Sequence, residues 1–169
     1  IRCVGKYLHD KNIAGLQSKD EILVETAAGI KHLELFKRNG KVTSVRVAMG
    51  DVTFGGAQQI TTSAGQLEGY CVDTGNPHCV IFSQFVDKEN VAVLGPEIEN
   101  NSLFPNRTNV EFIRVVSPAE IKMRAWERGN GETPACGTGA CAAVVTACEK
   151  GLCTKDLDVT VKVRGGILQ

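Results

Sequence analysis

Cys136 stands inside the stretch 126–143, Trp-Glu-Arg-Gly-Asn-Gly-Glu-Thr-Pro-Ala-Cys-Gly-Thr-Gly-Ala-Cys-Ala-Ala. There a cysteine enters a Gly-rich turn ahead of a run of small residues that reads as a helix. A helix N-terminus leaves backbone N–H groups without intrahelical partners and carries the positive end of the helix dipole. Such a place binds anions and favours a thiolate over a thiol. Pro134 fixes the approach, Gly137 and Gly139 remove side-chain bulk, and Thr138 is suited to cap the helix. The expectation is an ionisable Cys136 sulfur beside free donors at 137–139. A thiolate next to a bound carboxylate is equipment for moving a proton. Most free cysteines are inert and buried; here the turn argues for chemistry.

Three further segments carry groups of matching type. Glu127-Arg128 leads directly into the cysteine turn. Adjacent opposite charges serve equally as a surface ion pair, but Arg128 can grip a carboxylate bidentately. Glu127 can hold an ammonium group or exchange a proton with a thiol. Gly75-Asn76-Pro77-His78 is a turn that needs no function; it also presents an amide and an imidazole together, and an imidazole titrating near neutrality can tune a thiol. Asn109 follows Asn106-Arg107-Thr108, where turn chemistry is the stronger explanation. Glu132 reads as a solvated loop charge, and Cys141 and Cys148 as core positions of the helix.

Elements must position these groups. Residues 1–12 read as the end of a helix with Tyr7 and Leu8 inward, and 21–26, 30–37 and 42–49 as strands. Asn39-Gly40 between the last two suits a primed hairpin turn. Strands are also expected at 70–72 and 79–82, and a short helix over 90–100 whose length Gly95-Pro96 limits. A second hairpin is expected from 110–116 and 120–126. The helix over about 138–150 ends at Gly151, and 159–163 reads as a strand whose partner begins at Ile167. The 138–150 helix has no charged face, so it is expected to be buried all round. The class is α+β: a curved, mixed and mostly antiparallel sheet wrapped around a central helix.

Composition narrows the remaining choices. The 169 residues carry 19 basic and 19 acidic side chains with no basic stripe, which excludes nucleic acid as the expected partner. No apolar run is long enough to span a bilayer. Seven scattered cysteines point to free thiols in a reducing compartment, so a soluble cytoplasmic protein is expected. The spacing of Cys and His lacks any zinc pattern, and no metal is expected. Both ends read as cut: Ile1 begins within a helical pattern, and the last strand pair stops at Gln169.

Taken together, Met49-Gly50-Asp51, Gly75-Asn76-Pro77-His78-Cys79-Val80, Asn109-Val110-Glu111-Phe112 and the run from Trp126 through Ala142 resemble the diaminopimelate epimerase family. The resemblance implies an isomerase that works without PLP or another cofactor, interconverting LL- and meso-2,6-diaminopimelate through two thiols. It implies that Cys136 is one of them. Gly137 and Thr138 would lend backbone donors to the substrate carboxylate, and Asn76, Asn109, Glu127 and Arg128 would hold the substrate. His78 and Glu127 would assist proton movement. It further implies a two-lobed fold with an interlobe active site, a homodimer, and a role in lysine and peptidoglycan precursor synthesis. The other thiol would belong to a Cys-Gly-Asn-Gly motif immediately before Ile1. Residues 1–36 would be a remnant of the first lobe and 37–169 a nearly complete second lobe, inactive alone. A related amino-acid racemase or isomerase, or a non-catalytic amino-acid-binding module, are the alternatives.

Overall fold

Apolar residues at every second position set the strand faces of this chain, and Gly- or Asn-containing turns set many of the strand ends. The structure, a computed structural model, describes residues 1–27 and 29–169. Its compact units are Ile1–Gly50 and Asp51–Gln169.

In the first unit, helix α1 (Arg2–Asp10) precedes three antiparallel strands, β1 (Glu21–Thr26), β2 (Gly29–Arg38) and β3 (Lys41–Val47). Ile22, Leu33, Leu35 and Val42 form its buried centre. Asn39 and Gly40 both take positive φ, 52° and 72°, as a primed turn requires. The β2–β3 hairpin therefore keeps residues 37–47 in this unit, and the division follows Gly50 rather than residue 36. Helix α1 approaches the strands through Gly5, where an added Cβ would lie 2.7 Å from the Leu33 side chain. Tyr7, two residues on, is carried round to the far side. It is 58% exposed, not inward as expected.

The second unit is built on one sheet. In chain order its elements are β4 (Thr53–Thr62), β5 (Gly65–Asp73), β6 (Pro77–Phe82), α2 (Val91–Glu99), β7 (Asn109–Ser117), β8 (Glu120–Glu127), β9 (Gly131–Thr133), α3 (Gly137–Glu149), β10 (Thr160–Val163) and β11 (Gly166–Leu168). The strand order is β11-β10-β8-β7-β6-β5-β4, with β9 paired to β8. Neighbours are antiparallel except β6 with β7 and β8 with β10, which are parallel. Helix α3 packs on one face against Val80, Ile113 and Met123. Helix α2 covers the other, with Val91, Leu94 and Ile98 against Ile81 and Phe112. Full burial of side chains such as Phe112 and Ile113 contributes on the order of 1.5–3 kcal/mol each. The architecture is the α+β class expected, a mixed and mainly antiparallel sheet on a central helix. Among the described residues no helix is long and apolar enough to cross a membrane.

Two local readings need correction and one holds. Strand β4 was not foreseen: it is an edge strand whose two large apolar residues, Phe54 and Ile60, pack into different core clusters across a bulge at Gly55, so no single apolar alternation marks it. Helix α2 is the short helix expected over 90–100 and runs through Pro96 to Glu99; the one N–H that proline withholds is outweighed by the packing of Val91, Leu94 and Ile98. Helix α3 is not buried all round. Its Gly139, Ala140, Ala142, Ala143, Thr146 and Ala147 are buried, while Cys141, Val144, Val145 and Cys148 are half-buried. The latter four share one stripe at helical spacing; Val144 and Cys148 still pack against the core cluster, whereas Cys141 is not a fully packed core residue.

Candidate active site

Parallel pairing of β6 with β7 sets His78 beside Asn109. Strand β8, antiparallel to β7, brings Trp126 opposite Val110. Strand β5, antiparallel to β6, ends with Asp73 opposite Pro77. One end of these central strands thus collects the 73–77 turn, the start of β7 and the end of β8. Asn76, His78, Asn109, Glu127 and Arg128 come together because of this topology, although up to some fifty positions of sequence separate them.

The 73–77 turn is held tightly. Gly75 has φ 90°, and its N–H donates to Asp73 Oδ1 at 2.7 Å. Asn76 Oδ1 accepts from the Thr74 hydroxyl at 2.9 Å and lies 3.2 Å from His78 Nε2. The His78 ring is 1% exposed, and its Nδ1 lies 2.8 Å from Oε1 of Glu111. His78 is therefore not displayed on a turn; both its ring nitrogens are engaged inside the sheet face.

Cys136 is itself the N-cap of α3. Its sulfur accepts the Gly139 N–H at 3.3 Å and lies 3.4 Å from Thr138 Oγ1. Capping falls to Cys136 and not to Thr138, because extended backbone at position 136 (φ −127°, ψ 117°) points the thiol back over the first turn. The amides of Gly137 and Thr138 begin the helix, where no carbonyl of the helix reaches them. Cys136 is 6% exposed and packs with the apolar cluster under α3. Burial, and then the Glu111 carboxylate, push its pKa from an ordinary 9.0 up to about 11. The hydrogen bonds from Thr138 and Gly139 act in the opposite direction and do not win. The helix terminus alone does not yield a thiolate here, contrary to the sequence expectation.

The second cluster surrounds Arg128. Asn109, buried, donates from Nδ2 to Pro77 O at 3.0 Å and accepts the Arg128 N–H on Oδ1 at 2.9 Å. Its amide ties the 73–77 turn to the 128 loop. Glu127 accepts from the Thr133 hydroxyl across the β8–β9 pair. The exposed Arg128 guanidinium donates to Asn106 O at 2.9 Å. It borders an open cavity of about 600 Å³ whose wall includes Asp73, Phe104 and Arg107 but not Cys136. Glu132 is not a loosely solvated charge: Arg124 grips it through two nitrogens, at 2.8 and 3.1 Å, and Arg164 adds a third contact at 3.2 Å.

Two carboxylates escaped the sequence reading. Glu111 is one. The other is Glu99, 4% exposed at the end of α2. Glu99 accepts from Arg107 Nη1 at 3.0 Å, Trp126 Nε1 at 2.7 Å and Gly129 N at 2.9 Å, and so braces the loop that carries Arg128. The available signal was an acidic residue closing an apolar helix, in a chain whose one tryptophan needs an acceptor. Replacing Glu99 by alanine orphans the Trp126 and Gly129 donors. Urea unfolding is expected to register a loss of about 2 kcal/mol; a loss below a few tenths would show that this carboxylate braces nothing.

Comparison with known proteins bears on what this end of the sheet does. A family model described as diaminopimelate epimerase matches residues 70–169, more than half of the chain. The chain belongs to the diaminopimelate epimerase family. It is 45% identical to the diaminopimelate epimerase of Pelotomaculum thermopropionicum, across 99% of this chain and 63% of that protein. It is 42% identical to that of Moorella thermoacetica, across 100% and 63%. The chain therefore spans about 63% of the length of these curated relatives. Among solved structures, a probable proline racemase from Agrobacterium radiobacter K84 superposes with a TM-score of 0.76 at 19% identity, covering 97% of this chain and 55% of that one. A hydroxyproline epimerase from Agrobacterium vitis gives 0.75 at 20%, with the same coverage. At such identities the likeness is one of fold, shared with this diaminopimelate epimerase family member.

Proposed function

We propose that the full-length protein epimerises LL- to meso-2,6-diaminopimelate without PLP, and that Cys136 is one of two thiols that exchange the α-proton. The observation carrying this reading is a cysteine capping α3 next to the free amides of Gly137 and Thr138, within a segment matched to the diaminopimelate epimerase family. A base on one face of the α-carbon removes a proton and an acid on the other returns one. The negative charge that develops spreads into the substrate carboxylate, where helix N-terminal donors receive it. Each well-placed donor is worth roughly 2.7–4 kcal/mol in a transition state. A thiol at Cys136 is in the form that returns a proton. The second thiol is assigned to the Cys-Gly-Asn-Gly motif ahead of Ile1, and Ile1–Gly50 to the first lobe. Arg128 takes a carboxylate and Glu127 an ammonium group, while Asn76 offers its Nδ2 and Asn109 its second amide hydrogen. His78 and Glu127 assist the proton transfer. A cytoplasmic homodimer serving lysine and peptidoglycan precursor synthesis fits the same reading.

The test is α-proton exchange in deuterated water. The full-length protein is expected to place deuterium at the α-carbon of diaminopimelate and not of proline, while the 169-residue chain alone does neither. Exchange confined to proline, or tight binding of diaminopimelate with no exchange by the full-length protein, would overturn the reading.

A further inference from the structure

Glu111 is a fully buried acid in the middle of an apolar strand, at 0% exposure. Its neighbours Val110 and Phe112 face α2, so the pleat directs Glu111 to the α3 face. There Oε1 meets His78 Nδ1 at 2.8 Å, while Oε2 has no hydrogen-bond partner among the described residues. A Cβ added to Gly139 would collide with this carboxyl group. Gly139 also donates its N–H to the Cys136 sulfur at 3.3 Å. Carboxyl and sulfur therefore lie against the same glycine, one at its Cα and one at its amide.

The protons can be counted. His78 Nδ1 faces Glu111 Oε1, and His78 Nε2 faces Asn76 Oδ1, which already accepts from Thr74. Filling both contacts takes two hydrogens. Either the ring is an imidazolium beside a carboxylate, or the ring is neutral and Glu111 holds the proton. The pair is neutral overall in both arrangements, and burial raises the Glu111 pKa while His78 lowers it.

We propose that Glu111 is a positioning residue for proton transfer at Cys136, anchoring the His78 ring through Nδ1 and keeping the sulfur a thiol until substrate is seated. The proposal rests on the reading that Cys136 exchanges the α-proton. The pair is neutral, but the carboxyl oxygen is the end set against Gly139, and that oxygen opposes a negative charge on the sulfur hydrogen-bonded to the same glycine. Burial and Glu111 are the two largest causes that raise the thiol pKa, with Glu127 adding to them. The groups around the pair are His78 and Cys79 from β6, Glu127 from the end of β8, and the Thr138 hydroxyl and Gly139 amide from α3. An arriving substrate ammonium supplies the positive charge that relieves this opposition.

Iodoacetamide labelling of the full-length protein, followed against pH by mass spectrometry of the Cys136 peptide, tests the assignment. The wild-type midpoint is expected at about 11. Glu111→Gln keeps a hydrogen bond to His78 but no charge. It should label about ten-fold faster at pH 8, a midpoint one unit lower, with kcat reduced and KM within two-fold. Glu111→Asp keeps the charge and should keep the wild-type midpoint. A Glu111→Gln midpoint equal to wild type, or equal shifts in both variants, overturns the proposal. So does a wild-type midpoint at or below 9.0, which needs no variant to fold. Labelling requires no substrate: a lowered midpoint without diaminopimelate exchange defeats the functional reading alone, and exchange with an unmoved midpoint defeats this one.

Discussion

Serine in place of Cys136 is expected to slow α-proton exchange by the full-length protein on the order of 10²–10⁴-fold, the range set by a lost acid or base. The loss is chemical, not structural. Serine is among the preferred N-cap residues, and its hydroxyl can accept the Gly139 N–H that the sulfur accepts now. The residue is small, and its neighbours in the cluster under α3 are mostly apolar, so the fold tolerates the exchange of one atom. What disappears is an acid able to give up its proton and take it back on the time scale of turnover. Deuterium incorporation into diaminopimelate reads the rate, and urea unfolding reads the stability. Exchange within a few-fold of wild type, with the fold intact, would remove Cys136 from the reaction.

Alanine at Gly139 is the second large effect, and its sign runs against helix propensity. In a helix interior alanine is favoured over glycine by about 1 kcal/mol. Here the added methyl group would enter the space of the Glu111 carboxyl. Strand β7 cannot retreat easily, because it is paired on both sides, with β6 and with β8. The carboxyl must instead turn from His78 Nδ1, leaving a buried ring nitrogen without its partner. Overpacking of this kind costs typically 1–3 kcal/mol, and the broken buried hydrogen bond adds to it; a net loss of about 3 kcal/mol is expected in urea unfolding. The mechanism has a signature. Removing the obstacle with Glu111→Ala should make Gly139→Ala nearly neutral, a coupling that a double-mutant cycle measures. Additive losses would place the strain elsewhere.

Much of this fold is readable from alternation alone. Strands β3 and β8 carry apolar residues at the right period, β7 is an apolar run buried on both faces, and Asn39-Gly40 announces its turn. Strand β4 is unreadable for a physical reason: at the edge of the sheet it is held by Phe54 and Ile60, which a bulge sends to opposite core clusters. The place of Cys136 at a helix N-terminus was legible as well, but its protonation was not. That depends on burial and on Glu111, which lies 25 positions earlier and reaches the site only through the register of β7. The same limit applies to Glu99, whose three donors come from Arg107, Trp126 and Gly129. A carboxylate inside an apolar run signals that something must neutralise or solvate it; the partner's identity is a property of topology.

The amide of Asn109 has a mechanical consequence. One end is fastened to Pro77 and the other to the backbone of Arg128, so it works as a strut between the segment bearing Asn76 and the one bearing the guanidinium. Neither segment can drift without pulling the other. Shortening or recharging this strut should therefore shift both segments together, as a change of spacing rather than the loss of a single contact.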